Sequence, residues 1–439
     1  MSRSLMWFRR DLRLADNPAL LRASDSDEVV PVFVFDPRLW EPAGASRRAY
    51  LLASLRDLAA RTGVLVVRHG DPVRVVGDLV DETGAASVHV AADFGPYGTR
   101  RDSQVEEALA ARGVELVRTG SSYAVSPGRV VNQQGEAYRV FTPFARAWRT
   151  HGWRQPVDAP AAVTWADDVG SDAWPDVQLP EGLRLPDAGE AMAQQRWADF
   201  LSAHLSAYGR QRDRPGADAT SHMSVHLKWG EIHPRTLLAD LESTTADRTS
   251  VERYRTELAW REFYADVLAR RPDSARHYYR PEFEAMQYQA PGDLFEAWCE
   301  GRTGFPIVDA GMRQMRAEGW MHNRVRMIVA SFLVKDLHIE WQHGARYFMH
   351  WLVDGDLASN MHGWQWTAGS GTDPAPYFRV FNPIKQGKEF DPDGTYIRRY
   401  VPELRDVPLE HLHQPHDPIV DHAEERREAL ARYQHIHSG

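Results

Sequence analysis

The sequence holds a single cysteine, Cys299, in 439 residues. That excludes an internal disulfide framework and fits a reducing cytoplasm. No apolar run reaches the roughly 18 residues that a membrane span requires. The opening "MSRSLMWFRRDLRL" has no long apolar stretch, so secretion is not expected. Two phosphate-binding signatures are also missing. The first apolar run is followed by "RRDLRLADNPAL" rather than by G-x-G-x-x-G, and no G-x-x-x-x-G-K-S/T occurs. Neither the usual dinucleotide fingerprint nor a P-loop is supported. No internal repeat appears, which excludes a helical-repeat scaffold. An excess of positive charge is lacking too. The net charge of −9 argues against uniform coating of nucleic acid but permits a local basic groove.

What is present describes a soluble globular protein, with 43% hydrophobic and 26% charged residues. The length suits two domains or one large enzyme. Through residue 130 short apolar runs ("SLMWF", "VVPVFVF", "VLVV", "SVHVAAD") alternate with helical patterns ("SRRAYLLASLRDLAART", "DPVRVVGDLVDE", "RRDSQVEEALAARG"). This alternation predicts an α/β domain over residues 1–130, a doubly wound parallel sheet. Residues 131–193 turn rich in proline, aspartate and glycine and read as an interdomain connection. From 194 to 439 the pattern is helical, predicting an all-helical second domain. The tail "HLHQPH" reads as a solvated loop rather than a metal site.

Fifteen tryptophans are many for this length, and they fit either a large aromatic core or rings that do chemistry. The stretch "DGDLASNMHGWQW" poses the question most sharply. In "ELAWREFYADVL", Glu257 and Trp260 share a helix face, and Arg261 is placed to pair with Glu257 along the same helix. A carboxylate beside an indole also suits a planar heterocycle, which stacks on the ring while the acid meets its edge. In "GWMHNRVRMIVASFLVKDL", Asn323 and Met327 share a face. Arg324 and Arg326 leave it on different sides, either as surface arginines or with one on an acid and the other on an anion. In "ATSHMSVHLKW", Thr220, Ser221 and Ser224 crowd a helix start, fit for capping or for phosphate.

Taken in order, "WFRRDLRLADNPAL", "TSHMS", "ELAWREFY", "GFPIVDAGMRQM", "GWMHNRVRM", "DGDLASNMHGWQW" and "TDPAPYFRVFNP" resemble the photolyase–cryptochrome family nearly end to end. The nearest resemblance is to bacterial class I cyclobutane pyrimidine dimer photolyases. It implies an α/β antenna domain, a helical domain holding FAD, and light-driven electron transfer from reduced flavin to a flipped-out thymine dimer. Tyr208, Thr220, Ser221, Met223, Ser224, Tyr254 and Arg261 match FAD-binding positions. His222 stands where many relatives carry arginine. Arg326 and Asp354 match a salt bridge beside the flavin ring, Asp356 lies near the ring edge, and Asn360 matches the residue facing N5. Glu257, Trp260, Asn323, Met327 and Trp366 match the lesion pocket. Arg212, Arg324 and Arg379 match contacts to the DNA backbone. Trp364 and Trp341 match the first two tryptophans of the electron path, while Tyr288 holds the third place. Trp298 is an alternative donor.

Three features choose within the family. Asn323 and Met327 occupy positions where six-four photolyases carry two histidines, which that proton-transferring reaction needs. Asn360 cannot serve as the acid that plant cryptochromes place against N5, though its carbonyl can accept from N5–H. No long tail follows "IRRY", unlike most signalling cryptochromes. The reading is therefore repair of cyclobutane dimers. Its alternatives are a photoreceptor without repair activity and a six-four photolyase. A second antenna chromophore stays open between 8-hydroxy-5-deazaflavin, methenyltetrahydrofolate and none. The expected partner is damaged DNA, met by a cytoplasmic monomer without membrane or obligate protein partner.

Overall fold

The structure, a computed structural model, describes residues 2–373 and 378–438. The "PAPY" of the last family motif, residues 374–377, lies outside them. Five strands form one parallel sheet: β1 (Arg3–Phe8), β2 (Glu28–Phe35), β3 (Val66–His69), β4 (Ser87–Ala92) and β5 (Glu115–Ser121), in the order β3-β2-β1-β4-β5. β1 and β2 are buried almost throughout, as strands covered on both faces must be. The helices Ala45–Thr62, Pro72–Thr83 and Pro96–Ala110 lie between successive strands as the alternation predicts. β5 is the strand that the pattern misses. Its "ELVRTGS" carries polar residues and a glycine at an edge, where burial is partial.

The strand order reverses at β1, where open α/β sheets place their ligand crevice. Here the chain sets two arginines directly after β1. Arg9 pairs with Asp102 at 2.5 Å. Its guanidinium and that of Arg101 lie 4.8 and 5.2 Å from the Trp7 ring. Arg10 turns away and crosses to the helical domain.

The stretch 131–193 is not a plain connection. It contains the helix Phe141–His151, whose Phe144 and Trp148 are buried in the helical domain's core. Pro143 disguises it in the sequence, yet a proline in the first turn costs no helical hydrogen bond. Further on, Val29 and Trp165 form a parallel bridge, so the connection lies along the sheet. The helical domain is built on Arg248–Arg270, Pro306–Glu318, Asn323–Lys335, Trp341–Trp351 and Leu357–Ala368. Three tryptophans, Trp148, Trp298 and Trp341, are fully buried, so part of the tryptophan excess is core. Among the described residues no helix is long and apolar enough to cross a membrane.

Candidate active site

Two helices build the site by the same periodicity. On Leu357–Ala368 the residues Asn360, Gly363, Trp364 and Thr367 fall on one face. On Asn323–Lys335 the residues Asn323, Arg326, Met327 and Ala330 do the same. Together with Phe348, Leu352 and the turn Asp354–Asp356, these faces line one cavity of about 140 Å³. Asp356 starts the first helix, its Oδ1 accepting from the Ser359 N–H at 3.0 Å. Expected cofactor residues (Asp354, Asp356, Asn360) and lesion residues (Asn323, Met327) thus meet in one enclosure.

The polar groups of this cavity are fixed by one another and by partners outside it. Arg326 donates to Asp354 at 2.8 Å and, through Nε, to the Met321 carbonyl at 2.8 Å. The remaining Asp354 oxygen, Oδ1, is buried without a partner. Asn360 spends its Nδ2 on the Ala345 carbonyl at 3.0 Å, which leaves its own carbonyl as an acceptor. Two acceptors on one wall suit a planar ring that carries N–H donors, so these residues fit a flavin. Asp356 receives Arg10 from the α/β domain at 2.7 Å. Burial works against its ionised form, but Arg10, Lys228 and Arg261 overcome it and hold the carboxyl well below the usual range. Arg10 and Lys228 are contributions the motif reading misses. Arg10 stands 346 residues from Asp356, and no local spacing betrays such a pair.

The expected phosphate segment is held between aromatic walls. Ser221 Oγ lies 2.8 Å from the Tyr254 hydroxyl, and the Tyr254 ring meets Tyr208 edge-on at 5.3 Å. Met223 is buried, while Thr220 is half-buried and Ser224 exposed. His222 has φ 54° and stacks on Trp320 at 3.9 Å. Burial lowers its pKa, so the position where many relatives carry arginine supplies no lasting cation. Arg261 does not pair with Glu257. It donates to the Ser122 carbonyl at 2.9 Å and the Leu227 carbonyl at 3.3 Å, tying the domains together.

The lesion and DNA residues differ from expectation in their partners. Glu257 pairs with Arg212, one of the arginines expected on the DNA backbone. Arg324 also has an acid, Asp213, at 2.9 Å, and lies over the Phe390 ring at 4.4 Å. Arg324 and Arg326 therefore both meet carboxylates, where the sequence offered an acid for one and an anion for the other. Arg379 is exposed and forms no ion pair with a described carboxylate. Trp260 has one face covered by Phe141, with centroids 3.6 Å apart and planes 6° off parallel. Phe141 belongs to the stretch expected as a connection and could not be found from the motif. Trp366 lines a second, smaller cavity beside Phe378 and Arg379, and Thr367 borders both cavities.

Trp364 is buried, edge-on to Phe348 at 4.9 Å and to Trp298 at 6.1 Å. Trp341 is buried and meets Tyr278 edge-on at 6.2 Å. Tyr288 is half-buried. Burial pushes its phenol up to about 12, with the Tyr278 hydroxyl opposing. Trp298 is fully buried, so it is no exposed terminal donor. It continues to Tyr347 at 5.7 Å and from there to the partly exposed Trp351 at 6.3 Å.

Fold and cavity define an α/β domain joined to a helical domain built to hold a planar cofactor. Residues 4–161 match the family described as DNA photolyase, and residues 254–435 match the FAD binding domain of DNA photolyase. The chain belongs to the DNA photolyase family. It is 41% identical over 452 residues to a deoxyribodipyrimidine photo-lyase of Streptomyces griseus, covering 97% of this chain and 98% of that one. A bacterial class III photolyase from Agrobacterium tumefaciens superposes with a TM-score of 0.92 at 36% identity, covering 100% of this chain and 98% of the other. A Synechocystis cryptochrome superposes with a TM-score of 0.91 at 27% identity, covering 98% and 99%.

Proposed function

We propose that this chain repairs cyclobutane pyrimidine dimers in DNA with light, holding FAD in the larger cavity and the lesion at its Asn323–Met327 edge. The observation that carries this reading is the shared enclosure of Asp354, Asp356 and Asn360 with Asn323 and Met327. When bound, reduced FAD supplies under blue light the electron that splits the dimer. The chain's own residues hold and orient. Arg326 and Asp354 form one side of the cofactor wall, with the free Asp354 oxygen and the Asn360 carbonyl accepting from ring N–H groups. Arg10 keeps Asp356 anionic at the ring edge.

On the lesion side, Trp260 offers the face that Phe141 leaves open, and Trp366 supplies a second ring for a flipped dimer. Asn323 and Met327 contribute contact without proton transfer. Glu257 reaches the lesion by leaving Arg212. In its protonated form it donates to the thymine O4, where negative charge builds as the electron arrives. Arg212 is then free for phosphate, beside Arg324 and Arg379. Trp364 and Trp341 carry electrons inward for flavin reduction, with Tyr288, beyond Tyr278, as the terminal donor.

No described histidine lines the larger cavity, which favours cyclobutane dimers over six-four photoproducts. The experiment presents the reduced holoenzyme, under blue light, with oligonucleotides carrying one lesion or the other. Recovery of thymines from the cyclobutane dimer alone is expected. Recovery from the six-four photoproduct overturns the lesion assignment.

A further inference from the structure

Lys335 ends the helix that begins with Asn323, and it is 3% exposed. Among the described residues no carboxylate forms an ion pair with it. The neighbouring Asp336 is taken by His422 at 2.5 Å. The ammonium instead donates to the Arg379 carbonyl at 2.5 Å and lies 4.4 Å from the centre of the Phe378 ring. One turn earlier, Ser331 Oγ accepts from the Phe381 N–H at 3.3 Å. Residues four apart share a helix face, so both bonds hold one segment, 378–381, from one side. That segment walls the smaller cavity together with Trp366 and Thr367. A buried ammonium satisfied by one carbonyl and one ring is costly to keep. Its position in the helix's last turn offsets part of the cost. A methionine would fill the same space without that cost, but it could neither donate to the carbonyl nor attract the ring.

We propose that Lys335 is a positioning residue for DNA binding, its ammonium clamping the Arg379 segment onto the helix that carries Asn323, Arg324 and Met327. The inference rests on the reading of Arg379 as a contact to the DNA backbone. It makes that contact pH-dependent. The titratable groups around Lys335 are Arg280, Arg379 and Tyr433, which line the smaller cavity with it, and the adjoining Asp336 with its partner His422. Burial lowers the ammonium, with Asp336 opposing and Arg379 adding, down to about 7. The charged form prevails below that pH and is lost above it. The attraction to Phe378 then disappears, and the charge-assisted bond to the Arg379 carbonyl becomes an ordinary one.

The test measures the Kd of the FAD-loaded protein for a dimer-containing oligonucleotide between pH 6 and 8.5, and the quantum yield of repair at saturating DNA. Wild type should bind more weakly as pH rises through about 7. Lys335→Met should bind about tenfold more weakly at pH 6, the lower end of what one charge-assisted bond is worth. It should also lose the pH trend and keep the quantum yield. In an Arg379→Ala background Lys335→Met should add nothing further. Wild-type affinity in Lys335→Met, or effects that multiply with Arg379→Ala, overturn the clamp. A pH-independent wild type overturns it without any variant. Wild-type affinity in Arg379→Ala overturns the DNA contact beneath the proposal, an outcome distinct from the others.

Discussion

Glu257 stands between two partners. In the free protein it holds Arg212, and in the proposed reading it turns to the lesion. The group that helps is a donor, so an amide can replace the acid in part and a methyl group cannot. Glu257→Gln should therefore retain a substantial fraction of the repair quantum yield and Glu257→Ala much less. A charge-assisted bond to a developing oxyanion corresponds to about a tenfold to hundredfold difference in rate. Equal yields in both variants would remove Glu257 from the chemistry. Gln365 shows the opposite kind of residue. It sits between Trp364 and Trp366, the two rings of most interest, yet it is fully buried and touches neither cavity. Its Oε1 accepts from the Tyr279 N–H at 2.7 Å, and its Nε2 donates to the Ser274 carbonyl at 2.8 Å and the His277 carbonyl at 3.3 Å. Gln365→Leu should cost about 1–3 kcal/mol, because the buried Ser274 carbonyl and the Tyr279 N–H lose this partner. Chemical denaturation checks it. The same variant should leave the spectrum of bound FAD unchanged.

The helix Leu357–Ala368 explains why its own sequence is so hard to read. Residues two apart on a helix diverge by about 200°. Trp364 accordingly faces the larger cavity and Trp366 the smaller one. The cavity face of Asn323–Lys335 was legible, because helical spacing alone puts Asn323 with Met327; on Leu357–Ala368 the same spacing joins Asn360 to Trp364 once the helix is known. What was not legible came from other elements: Arg10 on Asp356, Phe141 on Trp260, Asp213 on Arg324. Such partners meet only through tertiary packing, and the sequence holds no period that links them. The helix Phe141–His151 was obscured by Pro143, and β5 by its polar alternation. The electron path belongs to this scale as well. Tyr288→Phe should slow photoreduction of FAD, and a wild type relying on Tyr288 should show a pH dependence, because its radical sheds the phenolic proton. Unchanged photoreduction would exclude Tyr288 and turn attention to the run from buried Trp298 through half-buried Tyr347 to the partly exposed Trp351.

At the scale of the molecule, a chain of net charge −9 binds a polyanion. Two of the three arginines proposed for the DNA backbone, Arg212 and Arg324, are paired to acids in the free chain. In the proposed reading, binding exchanges these carboxylates for phosphates and releases counterions from the DNA. With about three phosphates engaged, the logarithm of affinity should fall against the logarithm of salt concentration with a slope of about −2 to −3. A slope near zero would contradict the three-arginine surface. The α/β domain reaches the larger cavity through Arg10, which pairs with Asp356. The measurement that tests the central claim most directly is the recovery of thymines from a dimer-containing oligonucleotide by the photoreduced holoenzyme, in blue light and in darkness. Recovery in light and none in darkness is the predicted result. No recovery in light, with FAD bound and reduced, would contradict repair and leave a photoreceptor built on the same fold.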